Sequence, residues 1–245
     1  MQPRLAHAPL ILALIAWPLA ASEKDHHWSY SGAEGPSHWG GTCNKGKAQS
    51  PIEIHTADAS AEKLPPLEID YRPGTLHIID NGHSIQVNVD HGSSMSVGGH
   101  RFDLVQFHFH KPSEEIIDGR QYAMVAHLVH RDSKGKLAVI AVPLKAGEAS
   151  PLIDTLWRNI PHQKDREVSL HGVTISPGQL LPANRAYFTY MGSLTTPPCT
   201  EGVRWFVLKT PRSISIAQIL AFGKFYRANS RPVQPLNKRE VDAGG

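Results

Sequence analysis

Cysteine is nearly absent from this chain of 245 residues: there are two, Cys43 and Cys199, too few for a disulfide-dense scaffold. Charge is sparse as well, at 19%, with 25 basic and 22 acidic residues and no run of five like charges. Nothing in that balance demands nucleic acid or an anionic membrane as a partner. No apolar run approaches the roughly twenty residues that a membrane-spanning helix needs. Internal repeats and composition shifts are missing too, so one large domain is the economical organisation. The 20 glycines and 19 prolines exclude coiled coils and helical bundles and favour turn-rich β structure. What the chain has in excess is histidine: 15 residues, more than its seven Phe and six Tyr together. That excess brings metal ligation and proton transfer forward.

The first 22 residues stand apart. Arg4 is their single charge, Leu10 to Trp17 is apolar, and Pro18-Leu19-Ala20-Ala21-Ser22 supplies small residues before Glu23 and Lys24. This order predicts a signal peptide over residues 1–22, cleaved to leave a single domain over 23–245 that is exported to the periplasm or secreted. The apolar core is too short to anchor the chain in a membrane. In an oxidising compartment Cys43 and Cys199 can pair in one way only.

Short alternating or apolar runs recur between turn signals: Thr75 to Ile79, Ser84 to Val89, Phe102 to Phe107, Ala123 to Val129, Leu137 to Leu144, Tyr187 to Tyr190 and Val203 to Leu208. They predict strands. Asn81-Gly82, Gly98-Gly99, Asp118-Gly119 and Lys134-Gly135-Lys136 fall between consecutive runs as hairpin turns, so most neighbours should be antiparallel. Helices are predicted at Leu152 to Ile160 and at Ser215 to Ala228, the latter capped by Ser213 or Ser215.

In Gln106-Phe107-His108-Phe109-His110 the period of a strand puts Gln106, His108 and His110 on one face and both phenylalanines on the other. On the following run Ala123, Val125, His127 and Val129 share a face. If Asp118-Gly119 is a two-residue turn, His110 comes to lie directly opposite His127; Pro112 interrupts the ladder and leaves room for a bulge. Three imidazoles then converge. Being neutral, they would leave the full charge on a bound Zn2+, so that a water in its open position ionises near neutral pH.

These stretches resemble an α-class carbonic anhydrase of the secreted bacterial type, from about His27 to Glu240. The likeness is carried by His27-Trp28-Ser29-Tyr30, Gly35-Pro36-Ser37-His38-Trp39, Gln49-Ser50-Pro51-Ile52, Asn81-Gly82-His83, Gln106 to His110, Ala126 to His130, Ser193 to Cys199 and Arg231 to Leu236. The resemblance implies a mainly β fold with short helices, a single domain around a central, mostly antiparallel twisted sheet of about ten strands. It also implies zinc and the reversible hydration of carbon dioxide to bicarbonate and a proton. Position by position, His108, His110 and His127 would be the ligands. Thr195 would accept a hydrogen bond from the attacking oxygen and donate to Glu114, and its N–H would receive a substrate oxygen. Val129, Val139, Leu194, Val203 and Trp205 would form the apolar wall, with Thr196 beside Thr195 among the substrate contacts. His83 would shuttle the proton, and Tyr30, Asn81 and Gln86 would order the connecting waters. Gln106 and the main-chain carbonyl of Asn229 would accept from His108 and His110. Val125 departs from the pattern: most members have a glutamate there to accept from the third ligand, and a valine cannot. Family resemblance also suggests a Cys43–Cys199 bridge pinning the Thr195 loop, cis bonds at Ser50-Pro51 and Pro197-Pro198, inhibition by sulfonamides and anions, and a homodimer as one state of assembly.

Three other readings compete. His108-x-His110-x-x-x-Glu114 satisfies half of a cupin metal motif, but no second motif follows. A non-catalytic binding module on the same fold would have lost its ligand histidines, and here all three stand. A zinc-storing protein using His26 and His27 would need neither the Thr195–Glu114 pair nor an apolar wall.

Overall fold

The computed structural model describes residues 27–244; the expected signal peptide and the first four residues after it lie outside the described residues. Ten strands form the continuous path of one large sheet: β1 Ser60–Ala61, β2 Gly74–Asp80, β3 Ile85–Asn88, β4 His100–His110, β5 Met124–Arg131, β6 Leu137–Ala146, β7 Val168–Ile175, β8 Tyr187–Ser193, β9 Glu201–Leu208 and β10 Asp242–Gly244. In space they run β7-β2-β3-β4-β5-β6-β9-β8-β10-β1. The expected central sheet of about ten strands is present. It is mixed: the hairpin neighbours are antiparallel, while β6 with β9 and β10 with β1 are parallel. Glu68–Asp70, Ser94–Val97 and Arg212–Ile214 extend its margins.

The period of two sorts the strands into two faces. Ala126 and Leu128 of β5, Ala138, Ile140 and Val142 of β6, and Phe206 and Leu208 of β9 point into the main core. Their neighbours Val125, Val139, Ala141, Val203, Trp205 and Val207 form a second apolar cluster on the opposite face. In β4 the alternation breaks once. Phe102 and Leu104 enter the main core at even positions, Phe107 and Phe109 at odd ones. The pairing shows why: Val129 faces Gln106 while His130 faces Leu104, so Val105 is an extra residue in the ladder. This bulge turns the even positions beyond it, Gln106, His108 and His110, away from the main core. Burying Phe107 and Phe109 completely, at about 1.5–3 kcal/mol each, then holds that orientation against a one-residue slip.

Among the described residues the α-helices are α1 Thr42–Lys45, α2 Pro151–Arg158 and α3 Ile216–Gly223. Helix α2 matches the expected Leu152 to Ile160 to within two residues, starting one residue earlier and ending two residues earlier. Ser215 caps α3 through a reciprocal pair with Gln218, but the helix ends well before Ala228. Beyond Gly223 the N–H groups of Phe225 and Tyr226 both turn back to the Phe222 carbonyl, and the buried Tyr226 hydroxyl donates to Asp80. No helix among the described residues is long and apolar enough to cross a membrane.

Cys43 of α1 is bonded to Cys199 across a sequence separation of 156 residues, with Cα atoms 5.0 Å apart. Cis peptides stand at Ser50-Pro51 and Pro197-Pro198, and a third at Lys111-Pro112.

Candidate metal centre

The bulge in β4 and the alternation of β5 bring His108, His110 and His127 together, with one nitrogen from each within 4.8 Å of the others. The register differs from the expected one. His127 pairs with His108, and His110 with Val125. Asp118-Gly119 does close a hairpin, but only between the two-residue strands Ile116–Ile117 and Arg120–Gln121. Between that hairpin and the main ladder the Lys111–Glu115 side carries two residues more than the Tyr122–Ala123–Met124 side. A shift of two keeps every side chain on its face, so His127 still converges with the other two.

Two of the imidazoles are held from behind by hydrogen bonds, and the third faces a carboxylate. Nδ1 of His108 donates to Gln106 Oε1 at 2.8 Å. Nδ1 of His110 donates to the Asn229 carbonyl at 2.7 Å, which leaves its buried Nε2 without a partner. Nε2 of His127 lies 3.3 Å from Glu115 Oε1. Burial, with the neighbouring His127, pushes His108 down to about 3. The same causes hold His110 well below its ordinary range. Burial also acts to lower His127, but the Glu115 and Glu114 carboxylates outweigh it and its pKa is raised. A cluster that keeps two of its imidazoles neutral, with an orphaned ring nitrogen at its centre, fits a divalent cation that takes nitrogen donors.

The Lys111–Glu115 segment leaves the ladder and folds both glutamates inward, with Glu114 and Glu115 1% and 2% exposed. Oε1 of Glu114 accepts from the Arg231 N–H at 2.8 Å. Burial raises Glu114 to about 7, against lowering by His127, the Arg231 N–H and Thr195. Thr195, buried, sits in a loop closed by Leu194 N–H to the Thr200 carbonyl and Cys199 N–H to the Thr196 carbonyl, at 2.9 and 2.8 Å. Val139, Val203 and Trp205 belong to the apolar cluster on this face, and Val129 and Leu194 pack against it. The Trp205 ring meets His127 edge-on at 4.9 Å. Thr196 is half-buried in the same loop.

His83 stands elsewhere. Its ring stacks on Trp28 with centroids 3.6 Å apart, and burial, with nearby His27, lowers its pKa. Asn81 holds that turn: its Oδ1 accepts from the N–H groups of His83 and Ser84, and its Nδ2 donates to Gln86 Oε1 at 3.2 Å. The hydroxyl of Tyr30 is buried without a partner.

Sequence reasoning missed three residues. Glu115 reads as a solvated loop acid beside Glu114, yet it faces His127. Arg231 donates from its main chain to Glu114 and from its guanidinium to Gln49, Ser50 and Cys43. Trp28 supplies the face on which His83 rests. The signal for Glu115 was the missing carboxylate at Val125 and a second, unexplained glutamate ten positions before it.

Residues 34–244 match the model of a family described as eukaryotic-type carbonic anhydrase. A carbonic anhydrase of Nostoc sp. is 42% identical over 232 residues, which are 90% of this chain and 87% of that protein. The α-carbonic anhydrase of Thermovibrio ammonificans, solved with the inhibitor sulfanilamide, superposes with a TM-score of 0.85 at 43% identity, covering 88% of this chain and 98% of that one. A carbonic anhydrase from Chlamydomonas reinhardtii, solved with acetazolamide, gives 0.80 at 37% identity over 89% and 99%.

Proposed function

This chain belongs to the eukaryotic-type carbonic anhydrases, enzymes whose general reaction is hydration of carbon dioxide, and we propose that it runs that reaction reversibly on zinc held by His108, His110 and His127, with His83 as proton shuttle. The observation that carries the reading is the convergence of three imidazoles whose outward nitrogens all face an acceptor. When bound, the ion supplies a double positive charge that lets a water lose its proton near neutral pH, a magnitude that carbonic anhydrase itself exemplifies.

The remaining work falls to the chain's own groups. Thr195 can donate its hydroxyl proton only to an acceptor, and buried Glu114, held through Oε1 by the Arg231 N–H, has Oε2 free to accept it. That polarity fixes which way the Thr195 oxygen presents its lone pairs, and so aims the attacking oxygen at carbon. The N–H of Thr195 is set to receive the substrate oxygen on which charge grows. Val129, Val139, Leu194, Val203 and Trp205 give a nonpolar gas a dry wall. Thr196 borders it. His83 sits on an aromatic shelf where its ring can take up a proton and release it to buffer, with Tyr30, Asn81 and Gln86 as the polar positions between.

The same reading extends to aromatic sulfonamides and inorganic anions as inhibitors, since the solved relatives hold sulfanilamide and acetazolamide. It also extends to export by the predicted signal peptide into the periplasm or beyond, where the Cys43–Cys199 bridge is stable, and to a homodimer. Stopped-flow hydration of carbon dioxide by the mature chain, with zinc analysis, a chelator arm and a sulfonamide arm, is the test. Zinc near one per chain with chelator-sensitive hydration is expected. A zinc-loaded chain without hydration activity would overturn the reading.

A further inference from the structure

We propose that Glu115 is the positioning residue of His127: its carboxylate accepts from Nε2–H of that ring, fixes the ring's tautomer and rotation, and leaves Nδ1 for the metal. This rests on the metal reading above. Three observations converge. Oε1 of Glu115 lies 3.3 Å from His127 Nε2, and this nitrogen and both Glu115 oxygens are buried with no hydrogen-bond partner elsewhere, so the ring and the carboxylate face each other short of a formed bond. A carboxylate 2% exposed is too costly to bury without a facing donor, and the His127 ring N–H faces it. Val125, two residues before His127 on the same strand face, is fully buried among apolar side chains and offers no acceptor.

The loop makes the substitution feasible. Consecutive residues on a strand point to opposite faces, so Glu114 and Glu115 can both turn inward only because Lys111–Glu115 leaves the ladder. Ser113 secures that departure: its N–H donates to the Tyr122 carbonyl at 3.0 Å, its hydroxyl donates to the Glu115 carbonyl at 3.0 Å, and the same hydroxyl accepts from the Tyr122 N–H at 2.8 Å. The three ligands are thereby oriented unequally. His108 and His110 donate to neutral amide oxygens, from Gln106 and Asn229, with Glu114 Oε1 a further 3.5 Å neighbour of His110 Nδ1, whereas the group facing His127 Nε2 is a carboxylate. The carboxylate that members of the family carry on the strand is here delivered from the loop opposite.

The test moves the carboxylate. In zinc-loaded Glu115→Gln, which keeps the size and removes the charge, release of zinc to a chelator should speed up by about 10 to 100-fold. The visible absorption of the cobalt-substituted protein should change with it. Adding Val125→Glu to Glu115→Gln returns an anion to His127 from the strand and should restore most of both. Should Glu115→Gln fail to fold, Glu115→Asp reads the same quantity, since it keeps the charge and draws it back, with a smaller acceleration expected. Release at the wild-type rate with an unchanged cobalt spectrum overturns the assignment. So does a double variant that melts like wild type when metal-free yet recovers nothing. Failure of the metal reading itself looks different: the unaltered chain then takes up no zinc at all.

Discussion

The centre is built from two kinds of backbone. Its three candidate ligands ride on β4 and β5, adjacent strands inside the sheet with partners on both sides. Most of the polar groups behind them sit on loops: Glu114 and Glu115 after β4, Thr195 after β8, and Asn229 and Arg231 after α3; Gln106, which holds His108 from β4 itself, is the exception. The strand part owes its geometry to ladder hydrogen bonds and two buried phenylalanines. The loop part has no ladder, and holds its shape through side-chain ties, a disulfide and a buried guanidinium. Sheet fixes where the imidazoles are and, through Gln106, how His108 turns; loops supply the groups behind the other two and the charge they face.

The most damaging test of that division is removal of a strand-borne ligand. His127→Ala should lose stoichiometric zinc and with it all measurable hydration, while circular dichroism stays that of a folded β protein. Retained zinc would mean that the loop carboxylates can hold the ion, and the division would fail. Opening the bridge attacks the loop part. Cys43→Ser with Cys199→Ser should lower stability by up to about 5 kcal/mol in the chain-entropy model, or about 10–20 °C in Tm for a domain of this size. Calorimetry measures it, and thiol titration of the unfolded, unreduced wild type should find no free thiol.

Subtler is Glu114→Gln. It should cost about 10²-fold in kcat/KM through misdirection of the attacking oxygen, with zinc content unchanged. A loss of zinc instead would make Glu114 part of the metal's support. The smallest effect is expected of His83→Ala: kcat should fall by no more than about 10²-fold in dilute buffer, recover with added imidazole, and leave kcat/KM alone. The sign of its pH dependence follows from burial. The His83 pKa is lowered from 6.5, so the ring stays neutral and able to accept a proton to below that value. The acid limb of kcat should therefore fall below pH 6.5 in wild type and vanish in the variant. A limb above 6.5 would assign the limb to another group.

How much of this the sequence disclosed follows the same line. Strand alternation exposed His108, His110 and Gln106 directly, because a period of two is a local property. It exposed the face of His127 as well, and that survived an error in register, since the two extra residues of Lys111–Glu115 preserve parity. The bulge at Val105 was in view as the three-residue step from Leu104 to Phe107, which no unbroken strand produces. Strand β7 lies at the sheet's edge, and its alternation of Val168 and Leu170 with Val173 and Ile175 was missed because it is broken at His171-Gly172, where the register shifts. The roles of Thr195, Glu114 and Asn229 came from family likeness alone. Glu115 escaped both routes. Its partner is set by where a loop folds back, which leaves no periodic trace, and the likeness led to Val125 instead.

Consider last the long-range reach of the contacts behind His110 and Glu114. The acceptor for His110 is Asn229, 119 residues further on, and the N–H held by Glu114 belongs to Arg231, 117 residues on. In a chain that emerges from its N-terminus, the strands bearing all three imidazoles are complete long before either contact can exist. Arg231 then clasps carbonyls of Cys43 and Ser50, joining the two extremities of the domain over the centre. The order of arrival thus acts as a clock, in which the stretch that squares up the ligands is among the last to be delivered.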